Sequence, residues 1–266
     1  MTMNTPGDAR ESLAEGSLIS HLMELRDRLM KSVIAIVVLF IPCAIYSDWL
    51  FSAVAQPLID KMPKGTSMIA TSITAPVMAP LKLSLLTGLF LAMPYVLYQV
   101  WAFVAPGLYK HEKRFAIPLV ISSIVLFYAG VAFAYTVVFP LMFAFLTSAA
   151  PAGVQVMTDM SNYLDFVLLL FFAFGIAFEI PIATVLLAAT GLVKVETMTK
   201  NRGYIILGIF IVAAFLTPPD AVSQCFMAVP MYLLYEGGIV MSRLLVKNRM
   251  TRAEADRQAE EEQAGQ

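Results

Sequence analysis

Charged side chains make up only 14% of the 266 residues, so the acids that interrupt apolar sequence mark the places where chemistry could occur. Glu179 is the clearest, standing between the apolar runs 166–178 and 180–193 with Pro181 two residues on. A charge at the centre of a membrane helix costs roughly 2.5–3.5 kcal/mol on insertion scales, and intramembrane acids mark binding or proton-relay sites by default. A carboxyl there is either protonated or turned toward a polar cavity. The plainer alternative is a hydrogen bond that fixes packing within a helix bundle. Pro181 lets the helix bend and frees backbone groups beside the acid.

The remaining candidates flank the apolar runs. Glu24 lies in His21-Leu22-Met23-Glu24-Leu25-Arg26-Asp27-Arg28, one helical turn before Arg28, and that spacing alone reads as a surface ion pair. Glu112 is a lone acid among Lys110, Lys113 and Arg114, which reads as charge compensation. Asp220 follows Pro219 and can cap the helix after it, and Glu236 is within snorkelling reach of water. Thr217 and Gln224 bring hydrogen-bonding groups to one end of a short apolar hairpin, where in lipid they favour contact with another helix.

Enzymatic chemistry finds little support. His21 and His111 lie outside the apolar runs, and there is no His-Glu-x-x-His pair, no Gly-x-Ser-x-Gly elbow and no glycine-rich phosphate loop. Cys43 and Cys225 sit in separate apolar runs, which implies neither a disulfide framework nor a metal site. No cofactor is expected, and no basic patch with aromatics points to nucleic acid.

The elements that must position these groups are membrane helices. The chain is 59% hydrophobic, against about 45–50% in soluble domains. Its uncharged stretches 83–109 and 115–158 exceed the roughly 20 residues that cross a bilayer. The sequence predicts an all-α polytopic membrane protein with six spans, at about 31–46, 82–105, 115–147, 162–190, 203–216 and 221–242. The fifth and sixth are short, so that hairpin needs local thinning or a partner. Segment 49–59 looks interfacial, and Pro57, Pro63, Gly65, Pro76 and Pro80 argue for turns across the long loop to residue 81. The third span is longer than a bilayer needs, so tilt, a kink at Pro140 or a protruding end is expected. Asn162 is a candidate cap with Asp165 in the first turn behind it, and Gly191 a candidate helix end.

Fifteen of the 18 lysines and arginines fall on the side of the termini, and the other side has only Lys61, Lys64 and Lys82. Both termini are therefore expected in the cytoplasm. A polar stretch 1–17 reads as a flexible cytoplasmic N-terminus, residues 18–243 as the membrane domain, and 244–266 as a charged cytoplasmic tail. The N-terminus has no apolar centre and does not read as a cleavable signal.

Several strings together resemble one family. They are His21-Leu22-Met23-Glu24-Leu25-Arg26, Tyr98-Gln99-Val100-Trp101-Ala102-Phe103 continuing through Pro106-Gly107-Leu108-Tyr109-Lys110-His111-Glu112, then Phe174-Gly175-Ile176-Ala177-Phe178-Glu179-Ile180-Pro181, Thr217-Pro218-Pro219-Asp220, and Pro230-Met231-Tyr232. In this order, over about 18–243, they resemble TatC, the multi-span subunit of the twin-arginine protein translocase. The resemblance implies a bacterial inner-membrane receptor for twin-arginine signal peptides on folded cargo. It would work with the single-span partners TatA and TatB, among membrane lipids, as a homo-oligomer within a hetero-oligomeric complex driven by the proton gradient.

The resemblance also implies roles. Glu24 and Glu112 would hold the arginine pair, with Arg26 and Phe103 also involved, and Glu179 would be the intramembrane polar group. Thr217 and Gln224 would dock partners, and Pro57 and Asp220 would serve on the far side. The physics is compatible, since a guanidinium makes forked contacts with a carboxylate whereas lysine is a compact point charge. Two other readings stay open: a secondary transporter using Glu179 for a small solute, and a structural scaffold in which Glu24 and Glu112 tolerate substitution.

Overall fold

The computed structural model describes residues 6–59, 69–104, 116–148, 159–217 and 220–264. Their secondary structure is helical: α1 (Pro6–Ile45), α2 (Ser47–Ile59), α3 (Ala75–Val104), α4 (Ala116–Phe133), a π-helical segment (Ala134–Val138), α5 (Phe139–Ser148), α6 (Met160–Ala177), α7 (Ile180–Ala189), α8 (Val195–Lys200), α9 (Arg202–Leu216) and α10 (Ala221–Ala264). Five stretches are long and apolar enough to cross a membrane: Ile19–Ile45, Ala75–Val104, Ile117–Phe145, Met160–Ala189 and Ala221–Leu245. The sixth apolar helix, α9, has 15 residues, about 22 Å at 1.5 Å per residue. The chain falls into two compact units, Met1–Val120 and Ile121–Gln266.

In the first unit, α1 packs antiparallel on α3, and small residues set the approach. A Cβ on Gly88 would stand 2.9 Å from both Cα and N of Phe40, so the two backbones nearly touch. One turn along, Ser84 Oγ lies 3.0 Å from the Cys43 carbonyl and 2.8 Å from that of Pro80, positions from which it can donate to either. Ala75, Ala79, Leu83, Ala92 and Leu97 of α3 are also buried.

The expectation that Pro76 and Pro80 keep this region in turns is corrected here, because α3 starts at Ala75 and includes both. Proline suits the first turn of a helix, where its missing N–H would have no partner in any case. Pro80, at the sixth position, still fits because only one intrahelical bond is lost.

The second unit is built on aromatic and glycine contacts. Phe127 and Phe174 are fully buried, and the Phe133 ring sits 5.6 Å from both Phe174 and Phe178. Gly175 lets α6 pass close to the Phe127 ring, and Gly238 lets α10 pass close to Thr184 and Pro181 on α7. Tyr235 donates to the Met198 carbonyl at 2.9 Å, tying α8 to α10 within a cluster of Val195, Met198, Tyr235 and Ile239. Arg202, at the start of α9, places Nη2 and Nε each 2.6 Å from a Glu236 oxygen. Tyr232 donates to the same carboxylate at 2.7 Å.

Other expectations are corrected by local chemistry. Just before Pro140 the helix widens into the π-helical segment, where the Phe139 N–H bonds five residues back to Ala134 O. The wider turn accommodates the carbonyl that Pro140 cannot serve. The cap of α6 is Asp159, whose Oδ1 accepts from the Asn162 N–H at 2.9 Å, rather than Asn162 itself. Asp165 then lies beyond the first turn. Gly191 ends α7 with φ +71°, the left-handed geometry that glycine adopts without a side-chain clash. The final apolar stretch, expected to be short, has 25 residues, Ala221–Leu245. Helices α1 and α10 run without a break through residues 17 and 244.

Candidate functional site

On α1, His21, Glu24 and Arg28 recur at helical spacing and share one face. That face meets α3 one turn before its end. The His21 ring stacks on Phe103 with centroids 4.3 Å apart and planes 13° from parallel. Arg28 directs Nη2 and Nε to Glu24 Oε1 at 2.7 and 2.9 Å, and its Nη1 donates to Gln99 Oε1 at 3.1 Å. Gln99 is only 5% exposed, whereas the Glu24 side chain keeps 38% of its surface open. An open cleft of about 450 Å³ runs along this turn, bordered among the described residues by Ser20, Met23, Glu24, Asp27, Arg28 and Lys31.

The expected ion pair between Glu24 and Arg28 is therefore present, and it is tied to α3 as well. Phe103 joins this seam through His21. Arg26 does not: it sits about 200° around the helix from Glu24, pairs with Asp27 at 2.9 Å and is 69% exposed. Glu112 lies outside the described residues. Pro57 is carried by α2.

Glu179 occupies the junction between α6 and α7, where Pro181 has no N–H to continue the ladder. Ser123 on α4 donates to Glu179 Oε2 at 2.7 Å, while Oε1 is buried without a hydrogen bond. Regular helix is interrupted between Ala177 and Ile180, where the Glu179 N–H turns back to Ile176 O at 2.9 Å and its carbonyl accepts from the Ala183 N–H at 2.9 Å.

The third group surrounds the turn between α9 and α10. Thr217 is 7% exposed and donates its hydroxyl to Ala213 O at 2.8 Å, closing the last turn of α9. Asp220 caps α10, accepting the Ser223 N–H at 2.7 Å, and Gln224 follows in the first turn. The bond from the Ser223 amide holds the Asp220 carboxyl below the ordinary aspartate value of 3.8. The cap's contribution is thus complete above that value and is lost as pH falls through the lower folded-state value. We expect Asp220→Ala to speed amide exchange at residues 222–224, and Asp220→Asn to leave it near wild type, by hydrogen exchange and mass spectrometry.

Sequence reasoning passed over three of these residues. Gln99 and Ser123 were detectable as polar side chains inside apolar runs, whereas the His21 stack depends on the register of α1 against α3. Among the described residues there is no cluster of three histidine, cysteine or acidic side chains that could hold a metal ion.

Comparison with known proteins agrees with this architecture. Residues 20–230 match the family described as Sec-independent protein translocase protein (TatC). The chain is 54% identical over 222 residues to TatC of Azotobacter chroococcum mcd 1, covering 84% of this chain and 87% of that protein. It is 49% identical over 237 residues to TatC of Escherichia coli strain K12, covering 89% and 92% respectively. A crystal structure of the twin arginine translocase receptor TatC superposes with a TM-score of 0.77 at 38% identity, covering 84% of this chain and 98% of that one. The chain belongs to the TatC family, and is a multi-pass inner-membrane component of the Sec-independent protein translocase, a transport family and not a catalytic one.

Proposed function

We propose that the chain is the signal-peptide receptor of a twin-arginine translocase, binding arginine-pair signals of folded cargo at the cytoplasmic face. The observation that carries the reading is the half-open Glu24 carboxylate, beside the Phe103–His21 stack and an open cleft. Glu24 supplies one acceptor for a guanidinium and Glu112 the second, with Phe103 giving an apolar wall and Arg26 a role at the outer rim. Forked contacts to two acids favour Arg-Arg over Lys-Lys. The solved relative that superposes on the chain is itself described as a receptor.

On this reading α9 is the fifth of six spans and both termini are cytoplasmic. Residues 18–243 form the membrane domain. Thr217 and Gln224 dock TatA- and TatB-type single-span partners in a hetero-oligomeric complex. Pro57 and Asp220 act on the periplasmic side, and Glu179 is a polar point within the bundle toward which the apolar part of the signal moves. The proton gradient drives export, with no bound cofactor.

Binding of Arg-Arg and Lys-Lys signal peptides to the full chain in nanodiscs tests the site. Charge-assisted hydrogen bonds contribute about 1.5–3 kcal/mol, so Glu24→Ala and Glu112→Ala are each expected to weaken Arg-Arg binding by about tenfold or more. The Lys-Lys peptide is expected to bind weakly throughout. Equal binding of both peptides, indifferent to both substitutions, would overturn the site assignment and favour a solute transporter working through Glu179, whose buried Oε1 supports that second reading.

A further inference from the structure

We propose that Arg28 is an internal competitor for the ligand's guanidinium, holding Glu24 in the empty receptor and yielding it when a signal binds. The inference rests on the receptor reading above, and deepens it by naming the group that the signal must displace. Three observations support it. Arg28 places two nitrogens on a single oxygen, Glu24 Oε1, at 2.7 and 2.9 Å, leaving Oε2 outside the fork. Its third nitrogen is held by Gln99 on the opposite helix, at 3.1 Å, and Gln99 is 5% exposed. The pair borders the open cleft, with Asp27 and Lys31 on the same rim.

An i,i+4 ion pair on a free helix surface is a weak and floppy contact. Here the buried Gln99 carbonyl fixes the guanidinium from behind, so Arg28 presents a prearranged fork to Glu24. The arrangement copies what an incoming arginine would offer. It also keeps a half-buried carboxylate compensated while the cleft is empty, which an unpaired acid would lack.

Binding then becomes an exchange. The signal's guanidinium first meets Oε2, and takes over Oε1 as Arg28 swings back on its Gln99 tether. No net charge pair is lost, and because an i,i+4 pair is weaker than a forked ligand contact, the affinity is the ligand contact reduced by the release of Arg28. A receptor that must later release its signal benefits from that attenuation. A lysine ammonium cannot reproduce the fork, and leaves the internal pair in place.

The competing explanations have different signs. If Arg28 merely positions Glu24, its removal weakens binding. If it acts only by long-range repulsion of a cationic peptide, its removal strengthens binding whether or not Glu24 is present. A double-mutant cycle separates these.

The test measures Arg-Arg signal-peptide affinity for the full chain in nanodiscs, comparing wild type, Arg28→Gln, Glu24→Ala and the double variant, each checked for an unchanged melting temperature. Arg28→Gln is expected to bind about fivefold more tightly than wild type, and the gain is expected to vanish in the Glu24→Ala background. Arg28→Lys, which keeps the charge and loses the fork, provides a second variant and is expected to show a smaller gain of the same sign. Unchanged or weaker binding by Arg28→Gln, or a gain that survives in Glu24→Ala, would overturn the proposal while leaving the receptor reading intact. Failure of Glu24→Ala alone to weaken binding would remove the Glu24 site, and this inference with it.

Discussion

Leucine in place of Gly238 is expected to lower the melting temperature of the detergent-solubilised protein by about 5–10 °C. Gly238 sits on α10 where that helix crosses α7. Any Cβ there would overlap Thr184 Oγ1 and stand 2.9 Å from the Cα of Pro181. Neither neighbour can retreat easily: Thr184 is held by its bond to the Pro181 carbonyl at 2.8 Å, and Pro181 is buried at the head of α7. The helices must separate, opening the contacts that continue through Tyr235 and Ile239 to α8. Gly237 is the matched control, since a Cβ added there meets nothing within 4 Å. Gly237→Ala should leave stability unchanged or raise it slightly, because glycine in a helix interior is less favourable than alanine by about 1 kcal/mol. Equal melting shifts for the two variants would refute the close-packing account.

Glu179→Lys is expected to reduce export of a folded reporter by at least about tenfold while Arg-Arg peptide affinity stays within about twofold of wild type. The substitution puts a long cation where Glu179 Oε2 now accepts from Ser123 and Oε1 is enclosed. The change lies on the α6–α7 junction and not on the α1–α3 seam, so recognition and passage should separate. Glu179→Gln keeps an acceptor for Ser123 and should retain most export. Normal translocation by Glu179→Ala would take this acid out of the proposed route.

Much of the helix pattern was legible because apolar run length is a direct physical requirement for crossing lipid. The 14-residue run at 203–216 gave α9 almost to the residue, and the Asp220 cap followed from its place after two prolines. The errors cluster where proline has two meanings. Pro76 and Pro80 read as turn signals, although Pro76 belongs in the first turn of α3 and Pro80 lies within that helix. Asn162 and Asp159 are both good caps by type, and only the geometry of the start of α6 distinguishes them.

The candidate site was partly legible for a different reason. The spacing of Glu24 and Arg28 lies within one helix, so sequence alone could pair them. Their link to Gln99 and the stack of His21 on Phe103 join residues more than 70 positions apart, and depend on how α1 is set against α3. That setting follows from Gly88 and Ser84, whose small size matters only once the partner helix is known.

The ion pair between Arg202 and Glu236, reinforced by Tyr232, fastens one end of α9 to α10. On the six-span reading, a bilayer must thin around the 15-residue α9, and the fastening would keep α9 from sliding along its neighbour to relieve that thinning. A dimple has elastic energy proportional to its perimeter. Two short helices therefore lower the energy of the surrounding lipid by sharing one rim, an attraction that selects neighbours by length before any side chain is read. On the six-span reading, α9 gathers short membrane helices in this way, and the Arg202–Glu236 pair keeps that attraction permanently switched on.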